Sequence, residues 1–521
     1  MTEILNHINH LNSQVVHLVN QGNLEQAVIT AQQAVQLCTN HQITEHPVFA
    51  DSLNNLAELY RIQGHYPEAE PLYRQVLEIR ISIRGKEHID VAESLNNLGT
   101  FYFYQGKFLA AEQNLFAALN LWQRLLGNEH PQVAIGLNNI AQLYQAQGNY
   151  LQAESIYVQV LEIQNSSLGS EHPDIWRTLN NLAAIYDLQG RYQEAEKTHL
   201  AALGMIKQLY GNEHPDVAVS LNNLAALYNS QGFYSQAEDN YLQALAILNP
   251  LLGDQHPYIA ATLNNIAENY KDQGRYLESE KLHLTVWEMR KSLLGDEHPD
   301  TVSSLNSLGE LGFLQGRYLE AEEKYLSALA MRRILLGDEH PEIAVSLNNL
   351  ALLYTETGRY SEAERLYLDA LKIGEASLGQ EHPEVANHLN NLAALYEKQG
   401  RYAEAEQIYL EVLNTRKKLL GDEHPDVAVT LNDIAEVYRL EGRYSEAEAM
   451  YLQVLAMRKR LLGDEHPDVA VSLNNLAVLY NAQSKYSQAE SLFLQALDIA
   501  KNLFGEVHPQ VATAMSNLAT I

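Results

Sequence analysis

Apolar and polar positions alternate along this chain with the period of a helix, and the whole pattern returns every 42 residues without insertion or deletion. In the segment from Gly421 to Leu462, Leu431, Ile434, Ala435 and Tyr438 fall at i, i+3, i+4 and i+7, the spacing of one helix face. Tyr444, Ala447, Tyr451 and Leu455 repeat that spacing after Gly442-Arg443-Tyr444. Pro425 suits a first helical turn, where its missing N–H costs nothing. Gly421 suits a C-terminal cap and Gly442 a break between two helices. Each unit is therefore predicted to be a helix hairpin, whose apolar stripes only neighbouring units can cover.

A His-Pro step marks the beat at His46, His130 and every 42 residues on to His508, with His88-Ile89 as the one lapse. Counting by the inter-helix glycines, from Gly22 to Gly442 with Ser484 in the last place, gives twelve hairpins. The fold expected is all-α: an α-solenoid of about twelve such units plus a terminal helix. Residues 1–42 read as a degenerate capping hairpin, 43–504 as eleven regular hairpins, and 505–521 as a terminal helix, either a cap or a truncated repeat. In the unit at Leu305–Gly312, Gly312 replaces the usual packing Tyr. Gly309 joins it inside one helix, at a cost of about 1 kcal/mol each relative to alanine. This is the weakest unit expected.

Composition narrows the function. The net charge of −30 would repel phosphate backbones and anionic membranes, so neither nucleic acid nor a membrane is an expected partner. No apolar run reaches the length of a membrane span, and Met1-Thr-Glu-Ile-Leu-Asn6 does not read as a secretory signal. Cys38 is the single cysteine, which points to a reducing, cytoplasmic setting. Ligands of one metal must converge within a few ångströms, whereas equivalent loops of stacked units lie about 10 Å apart. The His-Pro histidines are therefore expected to cap or brace, with no metal or other cofactor. Glutamates two apart, such as Glu446 and Glu448, do not face each other on a helix. No nucleophile–base motif is present either, so no enzyme is expected. The Gly-Arg-Tyr arginines read as turn and surface residues.

The motifs Leu53-x-x-Leu56-Ala57-x-x-Tyr60 and Ala69-x-x-x-Tyr73 resemble the two helix signatures of the tetratricopeptide repeat, at a period of 42 in place of 34. The longer unit, with Gly-Asp-Glu-His-Pro, Leu-Asn-Asn-Leu-Ala, Gly-Arg-Tyr and Glu-Ala-Glu, is similar to the kinesin light chain variety. That resemblance covers residues 11–521. It implies a right-handed superhelix whose concave face, lined by first helices, holds peptide segments of partner proteins. Kinesin light chains also carry an N-terminal heptad coiled coil, and only about ten residues precede the array here. A cargo-adaptor role of that kind is thus one alternative, and self-stacking end to end through the terminal helix is another. A scaffold or adaptor for extended peptide segments is the leading expectation.

In that geometry the second asparagine of each Asn-Asn pair points into the concave face. The candidate peptide-binding residues are Asn97, Asn139, Asn181, Asn223, Asn265, Asn349, Asn391 and Asn475, while Ser307 and Asp433 depart from the row. Asparagine costs up to about 0.7 kcal/mol in a helix interior, so its recurrence needs an offset. An amide presents a donor and an acceptor together, which matches a peptide main chain. The competing explanation is an amide ladder fixing the register of adjacent first helices, expected mainly of the first asparagine (Asn54, Asn96, Asn138). Neighbouring wall positions vary from unit to unit and basic ones are scarce, so neutral or basic segments are the expected partners.

Overall fold

The computed structural model describes residues 2–506 and 508–521. Twenty-five helices follow one another, and among the described residues there is no strand. From unit 2 onward each hairpin pairs a 16-residue first helix (Pro47–Ile62 in unit 2) with a 19-residue second helix (Tyr66–Arg84). A single first-type helix, Pro509–Leu518, follows unit 12. None of these helices is long and apolar enough to cross a membrane. The helix containing Gly309 and Gly312 runs unbroken from Pro299 to Leu314, and Gly309 lies close against the Tyr325 ring.

The His-Pro steps are helix caps. In every unit from 2 onward, the histidine Nδ1 accepts the N–H two residues on, at 3.1 Å for Asp426 and 3.0 Å for Glu384. Proline then fills the first helical position, so two of the orphan N–H groups of that end are dealt with at once. His88, which lacks the proline, caps in the same way.

Each second helix lays its alanine and tyrosine stripe (Ala447, Tyr451) against its own first helix (Ile434, Ala435) and the next unit's (Leu476, Ala477), so the core runs from unit to unit. First helices also pack closely on the first helices of neighbouring units, and second helices do so less. That inequality curves the array, with first helices inside and second helices outside. A polar bolt crosses five of the junctions between units. Arg80 reaches from a second helix to Ser94 Oγ (3.1 Å) in the next unit and to Asp51 Oδ1 (2.9 Å) on the inner face. Arg290–Ser304, Arg332–Ser346, Arg416–Thr430 and Arg458–Ser472 repeat it.

The Gly-Arg-Tyr arginines are more than the turn and surface residues expected from sequence. The Arg359 guanidinium stacks 3.6 Å from the Tyr354 ring centre and binds Glu322 of the preceding unit and Glu362 of its own helix. Arg401 and Arg443 do the same on Tyr396 and Tyr438. The delocalised, planar cation serves a ring face and two carboxylates together, which clamps one unit to the next.

Candidate functional site: the inner wall

The wall is made of first helices, so every residue on it recurs at 42-residue steps and 16-residue rods carry it. The two asparagines of a pair are joined across units. Asn97 Nδ2 donates to Asn54 Oδ1 (3.0 Å), Asn139 to Asn96 (2.8 Å) and Asn181 to Asn138 (3.3 Å). Asn349 donates to Asn306 (3.2 Å), Asn391 to Asn348 (3.1 Å) and Asn475 to Asn432 (2.9 Å). The ladder thus engages both members of the pair, where sequence reasoning had assigned it mainly to the first. In these six pairs the second asparagine commits one N–H to the ladder and stays half-buried, with its carbonyl oxygen uncommitted to it.

Asn223 and Asn265 stand on the same row without a ladder bond, and the cause lies behind the wall. In the preceding junctions Ile206 and Leu248 occupy the place of the bolting arginine. The hydroxyls of Ser220 and Thr262 then lack a guanidinium, and the first asparagines turn to them. Asn180 donates to Ser220 Oγ (3.3 Å) and Asn222 to Thr262 Oγ1 (2.8 Å). Asn12 and Ser52 behave alike beside Cys38. An aliphatic residue 14 positions before the serine or threonine is the sequence signal of a released second asparagine, and sequence reasoning missed it.

Much of the acid on the wall is already neutralised. Glu58 pairs with Arg61 and accepts from Tyr73 Oη, and Glu436 pairs with Arg439 and accepts from Tyr451 Oη. Lys271 bridges Glu268 (2.6 Å) and Glu310 (2.9 Å). The exception lies in units 10–12. There a cavity of about 500 Å³ is lined by Asn390, Glu397, Tyr409, Asp433, Glu436 and Asn475. Asp433 stands where other units have the second asparagine, and accepts from Asn390 Nδ2 (3.0 Å). Burial, then Glu436 and Asp433, push the Glu397 carboxyl up to about 7, and burial also raises Asp433. The fold therefore favours protonated Glu397, while the unfolded chain ionises near 4.5. Stability is full below that pH and falls as pH climbs toward 7. Replacing Glu397 by Gln is expected to stabilise the protein by about 2 kcal/mol at pH 8, after allowance for solvent screening, and to be neutral at pH 4.5. Urea midpoints at the two pH values measure it.

A second cavity, of about 370 Å³, adjoins the first at Asn390 and is lined by Asn348, Asn349, Asn387, Asn391, Arg416 and His388, among others. Among the eight candidate asparagines, then, Asn349, Asn391 and Asn475 line wall cavities. Asn97, Asn139 and Asn181 stand in the ladder, and Asn223 and Asn265 are released from it.

Comparison with known proteins gives the same repeat. The tetratricopeptide repeat profiles match residues 49–90 and then, in overlapping windows, 90–249 and 258–521. A search of the curated proteins finds no match. Among solved structures, a Podosopora anserina protein described as kinesin light chain nearly identical TPR-like repeats is 29% identical. The match covers 40% of this chain and 98% of that one, with a TM-score of 0.33. BtubC (BKLC) from P. vanneervenii is 26% identical over 46% of this chain and 94% of its own, with a TM-score of 0.36. With its hairpins, its two helix signatures and profile matches along most of its length, this chain belongs to the tetratricopeptide repeat family.

Proposed function

We propose that the chain is a non-enzymatic scaffold that holds extended segments of partner proteins along its inner wall. The observation that carries this reading is the row of half-buried amides in which Asn223 and Asn265 are left out of the internal ladder. A main chain running past them meets donors and acceptors at a fixed repeat, while variable neighbours supply side-chain selectivity. The raised carboxyls of Glu397 and Asp433 favour neutral or basic segments, because a cationic side chain in that cavity restores the ionised forms. Partner capture by wild type is compared with the combined Asn181→Ala, Asn223→Ala and Asn265→Ala variant, with mass spectrometry as the readout. Loss of specific partners from a variant of unchanged helical content is expected. Full retention of every partner would remove the inner wall from the mechanism.

A further inference from the structure

The solenoid touches itself. The His298 ring, whose Nδ1 is held by the Asp300 N–H, must carry its proton on Nε2, and it donates that proton to the carbonyl of Ile62 at 2.8 Å. His382 donates to Ala146 (2.8 Å) and His424 to Leu188 (3.2 Å). All three bonds span 236 residues, which is six units less the length of one first helix. Six units therefore complete a superhelical turn, and first helices of the second turn stand head to tail on those of the first. The contact joins the positive end of one helix to the orphan carbonyls that end another.

Glycine makes the approach possible. Gly64, Gly106, Gly148, Gly190, Gly232 and Gly274 each face the His-Pro step six units on. At Gly64 and Gly106 a Cβ would fall 2.6 and 2.7 Å from the proline Cδ. The matching glycines of later units, Gly316, Gly358, Gly400 and Gly442, have the same positive φ and face nothing within 4 Å among the described residues. Phe504 reinforces the seam by stacking on His508 and approaching Tyr234 of the first turn. Between second helices the seam is looser. A cleft of about 1140 Å³ opens there, lined by Phe108, Leu109, Arg333, Leu336, Lys372 and Ile373, among others.

We propose that these His-Pro steps are a latch: they hold the second superhelical turn on the first, and the coil opens like a spring when they part. The latched seam confines entry to the inner wall to the superhelix axis, and the parted seam admits a chain from the side. This inference rests on the fold and is independent of the peptide-binding reading.

The test uses two triple variants that lose the same helix cap. His298→Ala, His382→Ala and His424→Ala remove latch donors. His46→Ala, His130→Ala and His214→Ala remove caps that have no such carbonyl contact. Small-angle X-ray scattering at matched helical content reads the result. A seam parted by one helix diameter lengthens the maximum dimension by roughly 10 Å. That lengthening in the latch triple alone is expected. Equal dimensions in both triples would overturn the latch. Should the latch triple lose helix, Gly148→Ala against Gly400→Ala decides. Both sites have positive φ, but only the first meets Pro383. Lengthening confined to Gly148→Ala supports the latch, and an equal result at the two sites ends it.

Discussion

Arginine at position 374 will destabilise this protein by about 3 kcal/mol or more, and the same arginine combined with His388→Ser will restore most of the loss. In five junctions an arginine on a second helix meets a serine or threonine 14 residues on. At other junctions the arginine is replaced, and at some of them its partner is replaced as well. Trp122 is matched by Gly136, whose absent side chain leaves room for the indole. Gln164 takes the arginine's place and accepts from Thr178 Oγ1 at 2.9 Å. Gly374 is matched by His388, whose ring lies 3.5 Å from where a Cβ at 374 would stand. The ring fills the space an arginine would need, so Gly374→Arg alone overpacks the junction and buries a charge without its hydroxyl. His388→Ser alone leaves a void, costing about 1 to 2 kcal/mol. Together they rebuild the bolt seen at Arg332 and Ser346. Chemical unfolding of the four proteins gives the coupling energy. Additive losses would show that the two sites do not share one volume.

The hairpins, their number and the residues that end them were all legible in the sequence, because a 3.6-residue period with glycine and His-Pro punctuation states a local rule twelve times over. What could not be read were contacts set by the closure of the superhelix. Nothing in a 42-residue unit reveals that His298 lies against Ile62, because six units per turn follows from small rotations accumulated between units. The bonding of the second asparagine was illegible for a nearer cause. Whether Asn223 is in the ladder depends on Ile206 behind it, a residue that looks like ordinary core until the arginines at its place in other junctions are seen to bolt. The Gly-Arg-Tyr clamp was hidden in the same way: its arginine, tyrosine and one of its glutamates sit in different helices, and only the fold brings them together.

Substituting His199 by Tyr and His388 by Ser is expected to make the protein markedly more resistant to acid than the wild type. His199 stands where most units carry the core tyrosine, and His388 where they carry serine or threonine. Both rings are almost wholly buried, at 3% and 2% exposure. Among the described residues, His199 Nδ1 meets only Asn180 Oδ1, and neither nitrogen of His388 has a partner. Burial pushes each imidazole down to about 4, because the charged form loses its hydration there, and His382 adds to the effect at His388. The unfolded chain takes up these protons near pH 6.5 and the folded chain only near 4. Stability is therefore full above 6.5 and falls by about 1.4 kcal/mol per pH unit per histidine until the folded pKa is reached. Glu397 and Asp187, with carboxyls raised to about 7 and about 6, act in the opposite sense over part of this range. The wild-type curve alone thus understates the effect, while the difference between variant and wild type cancels the carboxyls. That difference should move in the variant's favour by about 2 to 3 kcal/mol per site between pH 7 and pH 4.5. Urea midpoints at the two pH values test it, and a difference that does not change with pH would mean that both rings reach solvent or a partner before they charge.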